Sequence, residues 1–158
     1  MKQLKKGLAL SKSKGFTLIE LLVVIGILAI LLAITLIAIN PARQFGQANN
    51  TRRRSDVLQI LNATHQYVAE NKGNLPPLLI TQPALTPVPL ASTGLDICTD
   101  LMPNYMPALP TDPSLNTNAI TDCAVAYNTG YTVNKDAQTR ITVSAPTTDN
   151  GEVITVTR

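Results

Sequence analysis

Few side chains in this sequence could do chemistry, and their spacing narrows what that chemistry is. The chain has one His, His65, two Cys, Cys98 and Cys123, and a single carboxylate, Glu20, at the head of nineteen uncharged residues. A lone His with no second ligand near it in sequence is expected at the surface or at the edge of a core. One His and two Cys supply too few soft ligands for a metalloenzyme. No Ser/His/Asp set and no phosphate-cradling Gly loop supports catalysis. The expectation is a protein that is not an enzyme and has no cofactor or metal. Asp149-Asn150-Gly151-Glu152 has a calcium-like composition, but it is shorter than an EF-hand loop and reads as turn chemistry.

Glu20 is the anomaly, and its setting defines the first element. Residues 21–39 are apolar but for Gly26 and Thr35; as a helix they would span about 29 Å at ~1.5 Å per residue. That is close to the ~30 Å hydrocarbon core of a bilayer. A helix is required there because an unpaired backbone group in lipid costs several kcal/mol. Asn40-Pro41 predicts a kink or break. A carboxylate at the end of such a helix could reach the headgroups. Placed deeper it would cost roughly 2.5–3.5 kcal/mol and need a cationic partner. No Lys or Arg lies between Gly15 and Ala42, so that partner must be lipid, another chain or a newly made amino terminus.

Charge is distributed just as unevenly. The 158 residues carry 13 basic and 10 acidic side chains, +3 overall. Five of the bases, Lys2, Lys5, Lys6, Lys12 and Lys14, precede residue 15, where no acid occurs. From Phe16 onward the balance is eight against ten, or −2, and from Gly73 it is three against seven, or −4. The positive total therefore gives little support to a general polyanion binder. A cleaved secretory signal fits poorly, because the apolar stretch exceeds the usual ~7–15 residues and no small-x-small site follows. Flanking charge barely favours an N-terminus inside, with five Lys before the span and Arg43, Arg52, Arg53 and Arg54 after it.

Gly15-Phe16-Thr17-Leu18-Ile19-Glu20-Leu21-Leu22, with a Lys-rich leader before it and a long apolar helix after it, resembles the class III signal of type IV prepilins and pseudopilins. The resemblance covers about the first forty residues closely and the rest in architecture only. It implies cleavage after Gly15 by a membrane-embedded prepilin peptidase and methylation of the new amine at Phe16. It also implies that Glu20 pairs with the Phe16 amine of a neighbouring subunit. Such a pair is strong in a low-dielectric bundle, where either group alone is costly. Many type IV pilins carry Pro near the middle of this helix, where Ile37 and its neighbours stand here; Pro41 comes later.

Past the span, residues 41–72 read as an amphipathic helix. Val57, Ile60, Leu61, Thr64, Tyr67 and Val68 share one face, and Lys72-Gly73-Asn74 supplies a stop. Arg52, Arg53 and Arg54 point around a helix rather than forming a stripe. They are expected on a solvated or subunit-contact face, with DNA or phospholipid as the other candidate partner. Residues 75–92, with five Pro, are expected to be an extended, irregular connection without a helix. Cys98 and Cys123 lie where export past the membrane favours a disulfide, two free thiols being the alternative. Three strands are expected at 124–133, 139–145 and 152–157, where apolar and polar residues alternate.

These readings give an α+β chain: a long hydrophobic helix continuing into an amphipathic half, packed on a small antiparallel sheet, as in the type IV pilin fold. Its divisions are a leader at 1–15, a membrane or filament-core helix at 16–40, an amphipathic helix at 41–72 and an exported region at 73–158. The resemblance implies a filament subunit that forms a helical homopolymer. Its partners would be the prepilin peptidase and an inner-membrane pilus or secretion platform, with the precursor single-pass and N-terminus inside and the assembled pilus on the cell surface. A major pseudopilin of a type II secretion system is the alternative. A membrane-anchored binding module that never polymerises is the third reading.

Overall fold

A computed structural model describes residues 15–158; the leader lysines expected to be removed lie outside the described residues. The chain divides into two compact units, Met1–Pro41 and Ala42–Arg158.

The first unit is built on α1, Leu18–Ile39, none of whose residues is buried. Its mean hydropathy is 3.3 over the most apolar window, and its 22 residues make it long and apolar enough to cross a membrane. The one internal hydroxyl, on Thr35, donates to the Leu32 carbonyl at 2.9 Å, so it asks nothing of its surroundings. Asn40 adopts a left-handed conformation (φ 48°) that ends α1, and Pro41 opens α2, where its missing N–H costs nothing. The Asn-Pro break is thus a change of helix rather than the end of helical structure.

The second unit begins one residue into α2, Pro41–Glu70. Sequence propensity is poor over residues 44–51, yet the helix is continuous, because packing on one face outweighs weak propensity. Val57, Ile60, Leu61 and Thr64 are fully buried along that face. The helix closes where Asn71 donates from its side chain to the Tyr67 carbonyl at 2.8 Å. Lys72 and Gly73 then turn left-handed (φ 57° and 88°), and the Gly73 N–H reaches the Val68 carbonyl at 2.8 Å.

Against α2 lies a four-stranded antiparallel sheet in sequence order: β1 Val88–Ala91, β2 Asn128–Lys135, β3 Ile141–Ala145 and β4 Ile154–Thr157. Register is set by pairs such as Val88 with Val133, Val133 with Val143 and Ala145 with Ile154. Alternation delivers Tyr131, Val133, Ile141, Val143 and Ile154 to the core beside Leu90 and the α2 stripe. The architecture is α+β, a long apolar N-terminal helix plus an antiparallel sheet, consistent with the type IV pilin fold.

Two expectations are corrected. The segment 75–92 is not irregular throughout, since it holds a short helix α3, Pro77–Thr81, and strand β1. Pro77 sits in the first turn of α3, where Pro is tolerated, and Leu79 anchors the helix in the core. Pro89 is accepted in β1 because that strand is at the sheet edge and its pairing shifts between Pro89 and Ala91. The sheet consequently has four strands, and β2 begins at Asn128 rather than near residue 124. Between β1 and β2 run a one-turn helix α4, Cys98–Leu101, and a 3-10 turn, Pro113–Leu115. This connection is held by a bridge between Leu109 and Ile120 and by a Cys98–Cys123 disulfide with Cα atoms 5.7 Å apart.

Candidate functional site

The N-terminal site is built around the first turn of α1. Thr17, extended at φ −81° and ψ 151°, is its N-cap. Its hydroxyl accepts from the Glu20 N–H at 3.3 Å and donates to Glu20 Oε2 at 2.7 Å. The Thr17 N–H donates to the same Oε2 at 2.8 Å. This reciprocal arrangement satisfies two backbone donors that a helix start leaves open. The carboxylate predicted to need a cation therefore already has two donors from its own chain. Thr17 was not singled out from sequence, although Thr-x-x-Glu just before an apolar run is a recognisable helix-start signature. Phe16 is 83% exposed, and a Cβ at Gly15 would meet nothing within 4 Å, so among the described residues none covers the Gly15–Phe16 bond.

The arginine cluster of α2 is resolved into three different environments. Arg53 is 1% exposed and Asp112 likewise 1%. Arg53 donates from Nε and NH2 to the two Asp112 oxygens at 2.8 and 3.0 Å. Its NH1 donates to Asn50 Oδ1 at 2.9 Å and to Asp149 Oδ2 at 2.7 Å. Burial alone would disfavour the charged guanidinium, but the hydrogen bonds from it to Asp112 dominate and hold its pKa above the ordinary arginine value. Arg52 lies 3.7 Å from Asp56, and Arg54 pairs with Glu152. The expectation of a solvated or subunit-contact face, with DNA or phospholipid as the other candidate, does not hold for Arg53, which is internal and hydrogen-bonded by its own chain. The physical signal was available: Arg53 lies three residues after buried Asn50 and four before buried Val57, on the core face.

Asp112 and Asp149 were not predicted as members of this site. Asp112 also caps the 3-10 turn, accepting from Ser114 N at 2.8 Å, so one carboxylate ties the mid-chain connection to α2. Asp149 opens the turn before β4; its N–H donates to Asn50 Oδ1 at 3.0 Å and its carbonyl accepts from Asn50 Nδ2 at 2.8 Å. The Asp149-Asn150-Gly151 segment is a turn, with Asn150 and Gly151 left-handed. Asp56 accepts from the buried Tyr131 hydroxyl at 2.7 Å, which links the cluster to β2. Among the described residues no three His, Cys, Asp or Glu gather as a metal-ligating group.

His65 is half-buried on α2, and its Nε2 has no hydrogen-bond partner. It borders a cleft of about 280 Å³ lined mainly by Val68, Leu75, Ile80, Lys135 and Ile141. The wall of this cleft is chiefly aliphatic, and Lys135 donates to the Ile80 carbonyl.

Residues 10–36 match the family described as the prokaryotic N-terminal methylation motif, the class III signal of type IV pilins and pseudopilins. The match includes Gly15, Phe16, Thr17, Glu20 and most of α1. No curated protein matches the chain, and no solved structure matches it. The motif and the apolar helix fit a membrane-anchored precursor similar to those of pilins and pseudopilins, and the proteins that carry this motif are structural rather than catalytic. In general terms, the motif implies processing by a prepilin peptidase and assembly into a filament.

Proposed function

We propose that this chain is the structural subunit of a type IV pilus or a related filament. It is cleaved after Gly15, methylated on the Phe16 amine and polymerised through α1. The observation that carries this reading is a single acid, Glu20, at the head of a 22-residue apolar helix with no Lys or Arg from Phe16 to Ala42. A helix with no buried residue must be covered by lipid or by other copies. The same surface can serve both: lipid before assembly, neighbouring α1 helices after it. Gly26, Ala29, Ala33 and Ala38 allow close approach of such helices.

In this reading residues 1–15 are the leader, 16–40 the membrane and filament-core helix, 41–72 the amphipathic helix and 73–158 the exported region. The leader lysines hold the precursor with its N-terminus inside, and the mature subunit works outside the cytoplasmic membrane. The family resemblance implies that major pseudopilins often hold the C-terminal loop with calcium. Here that loop is held by Arg53 through Asp149, and the preceding connection by Cys98–Cys123, which favours the pilus subunit over the secretion pseudopilin.

The experiment is mass spectrometry of the sheared extracellular filament fraction. The expected species begins at N-methylated Phe16. An intact leader on assembled protein, or absence of the chain from filaments, would sink the reading.

A further inference from the structure

We propose that β4 is a docking edge for β4 of a second copy, the two strands pairing antiparallel about a two-fold axis at Thr155. The two edges of the sheet are not alike. At β1 the Pro89 carbonyl accepts from the Leu95 N–H at 2.9 Å and the Ala91 carbonyl from the Gly94 N–H at 3.0 Å. The loop after β1 thus covers that edge, and Pro89 itself removes a donor. Strand β4 has no Pro, no shift in its pairing, no charged residue within it and no covering loop, so none of these devices closes it. Its four residues, Ile154-Thr155-Val156-Thr157, are all β-branched and suit a pleated surface.

Pairing with β3 fixes which groups are open. Ile141 and Arg158 exchange both backbone hydrogen bonds, at 2.8 and 3.0 Å, and the register then sets Val143 opposite Val156 and Ala145 opposite Ile154. Bonded and open pairs alternate in an antiparallel ladder. The even-numbered residues of β4 therefore bond to β3, and the N–H and C=O of Thr155 and Thr157 point away from it. Among the described residues no other segment hydrogen-bonds to these groups.

Charge selects the occupant and its register. A second β4 centred on Thr155 sets Thr155 opposite Thr155 and Val153 opposite Thr157. One residue further out, Glu152 meets Arg158 of the second copy, once on each side of the axis. These are the only charged side chains among residues 152–158. Both stand on the side of the strand that faces α2, where Glu152 meets Arg54 and Arg158 meets Asn62. A slip of two residues separates the opposite charges, and a parallel pairing sets like against like, which is destabilising. The arrangement also covers Val153, otherwise 86% exposed. The hydroxyl pairs Thr142–Thr157 and Ser144–Thr155, at 2.7 and 2.9 Å, continue across the axis.

A strand of four residues makes a weak contact. A two-fold contact cannot repeat along a polar helical filament, whose subunits are joined head to tail. On the filament reading, β4 therefore joins copies in different filaments, where many weak contacts act together. The pairing itself does not depend on that reading.

The test uses the detergent-solubilised full-length chain carrying Thr155→Cys and oxidised with diamide; Cys98 and Cys123 are already bridged. Directly opposed residues of a bonded pair stand about 5.5 Å apart at Cα, within the reach of a disulfide. The expected covalent dimer is about tenfold more abundant than with Gln138→Cys, an exposed control position, the ratio that about 1.4 kcal/mol carries. Adding Thr157→Pro removes an outward N–H without touching the β3 ladder, and adding Arg158→Glu sets like charges opposite each other. Either should return the dimer to the control level with near-UV circular dichroism unchanged; Arg158→Glu carries the test alone if the proline disturbs the sheet. A Thr155→Cys dimer no more abundant than the control overturns the proposal. So does a dimer that survives Arg158→Glu, or a product in intact cells that joins Thr155→Cys to a different protein. If the chain is absent from sheared filaments while the dimer forms as expected, the filament reading fails and the pairing stands.

Discussion

Arg53 and Asp112 face each other in a buried two-point contact, with Nε to Oδ2 at 2.8 Å and NH2 to Oδ1 at 3.0 Å, although 59 residues separate them in the chain. The contact joins α2 to the connection between β1 and β2. Asp149, at 2.7 Å from the same guanidinium, adds the turn before β4. One side chain thus holds three segments that have no backbone pairing with one another. Arg gives this arrangement its geometry, since the planar fork meets two carboxylates and an amide at once where an ammonium could not.

Removing one partner should therefore cost more than the contact itself is worth. In Asp112→Ala the guanidinium stays buried with one of its two carboxylates gone, and in Arg53→Met two acids lose their cation. Breaking a buried pair on one side typically destabilises by about 3–5 kcal/mol. Arg53→Lys should recover only part, because it cannot span Asp112 and Asp149 together. Denaturant titration of the detergent-solubilised chain, followed by near-UV circular dichroism, reads the change. A loss below about 1 kcal/mol in Asp112→Ala would show that the contact is not buried in solution.

The same cluster fixes the acid limb of stability. Burial pushes the Asp112 carboxyl up, but hydrogen bonds from Arg53 and Ser114 outweigh it and hold the group below the usual aspartate range. The Arg53 hydrogen bond is the main cause of the lowering at Asp149. A carboxyl lowered by folding contributes stability that is present above its unfolded pKa and lost as pH falls through the folded one. Asp56 has the opposite sign: burial raises it, only partly offset by Tyr131, so its cost is relieved as pH falls. Stability should change little from neutrality down to about pH 4, the aspartate reference region, and drop below it. In Asp112→Asn the drop should be shallower. A midpoint that falls steadily from pH 7 to pH 5 would contradict this assignment.

Different parts of this molecule are legible in sequence to different degrees, for physical reasons. The span is written in an unbroken apolar run of membrane length and the core stripe of α2 in helical periodicity, and neither needs a partner to be read. Asn40-Pro41 also declared its break. Strand β1 did not, because Pro87 and Pro89 look like loop residues until their place at a sheet edge is known. Arg53 looked like its neighbours, because adjacency in sequence conceals that only one of three consecutive helical positions faces inward. Asp112 and Asp149 were legible as residues but not as partners, since long-range pairing has no local signature. The Thr17–Glu20 box is local, and Thr-x-x-Glu ahead of an apolar run is legible from sequence alone.

The disulfide should matter through the segment it closes. Cys98 is buried in α4 and Cys123 half-buried near the start of β2, 25 positions apart. The loop-entropy relation gives about 3.5 kcal/mol for a closed loop of this size. Cys123→Ser paired with Cys98→Ser should lower stability by about that amount, without changing the acid limb set by Arg53. The comparison is a denaturation series at several pH values. A double variant as stable as the parent would mean that the Leu109–Ile120 bridge and the buried Leu101 and Leu109 hold the connection by themselves.

Gly46 offers a test in which two effects have opposite signs. Within a helix, Gly→Ala ordinarily stabilises by about 0.8–1 kcal/mol. At Gly46, however, an added Cβ would lie 2.7 Å from Asn150 Nδ2 and 2.9 Å from Asp149 Cβ. The amide end could rotate away, but the Cβ of Asp149 is tied to backbone that already exchanges two hydrogen bonds with Asn50. Moving it would also pull Asp149 from Arg53. The close approach should win, giving Gly46→Ala a net destabilisation of about 1–3 kcal/mol, as overpacking does, together with faster amide exchange over residues 149–152. Gly26→Ala is the control in the unassembled chain, because a Cβ there meets nothing within 4 Å and only the helix propensity remains. If Gly46→Ala instead stabilises the chain, the turn before β4 does not rest on α2 at this point, and the third arm of the Arg53 cluster has to be given up.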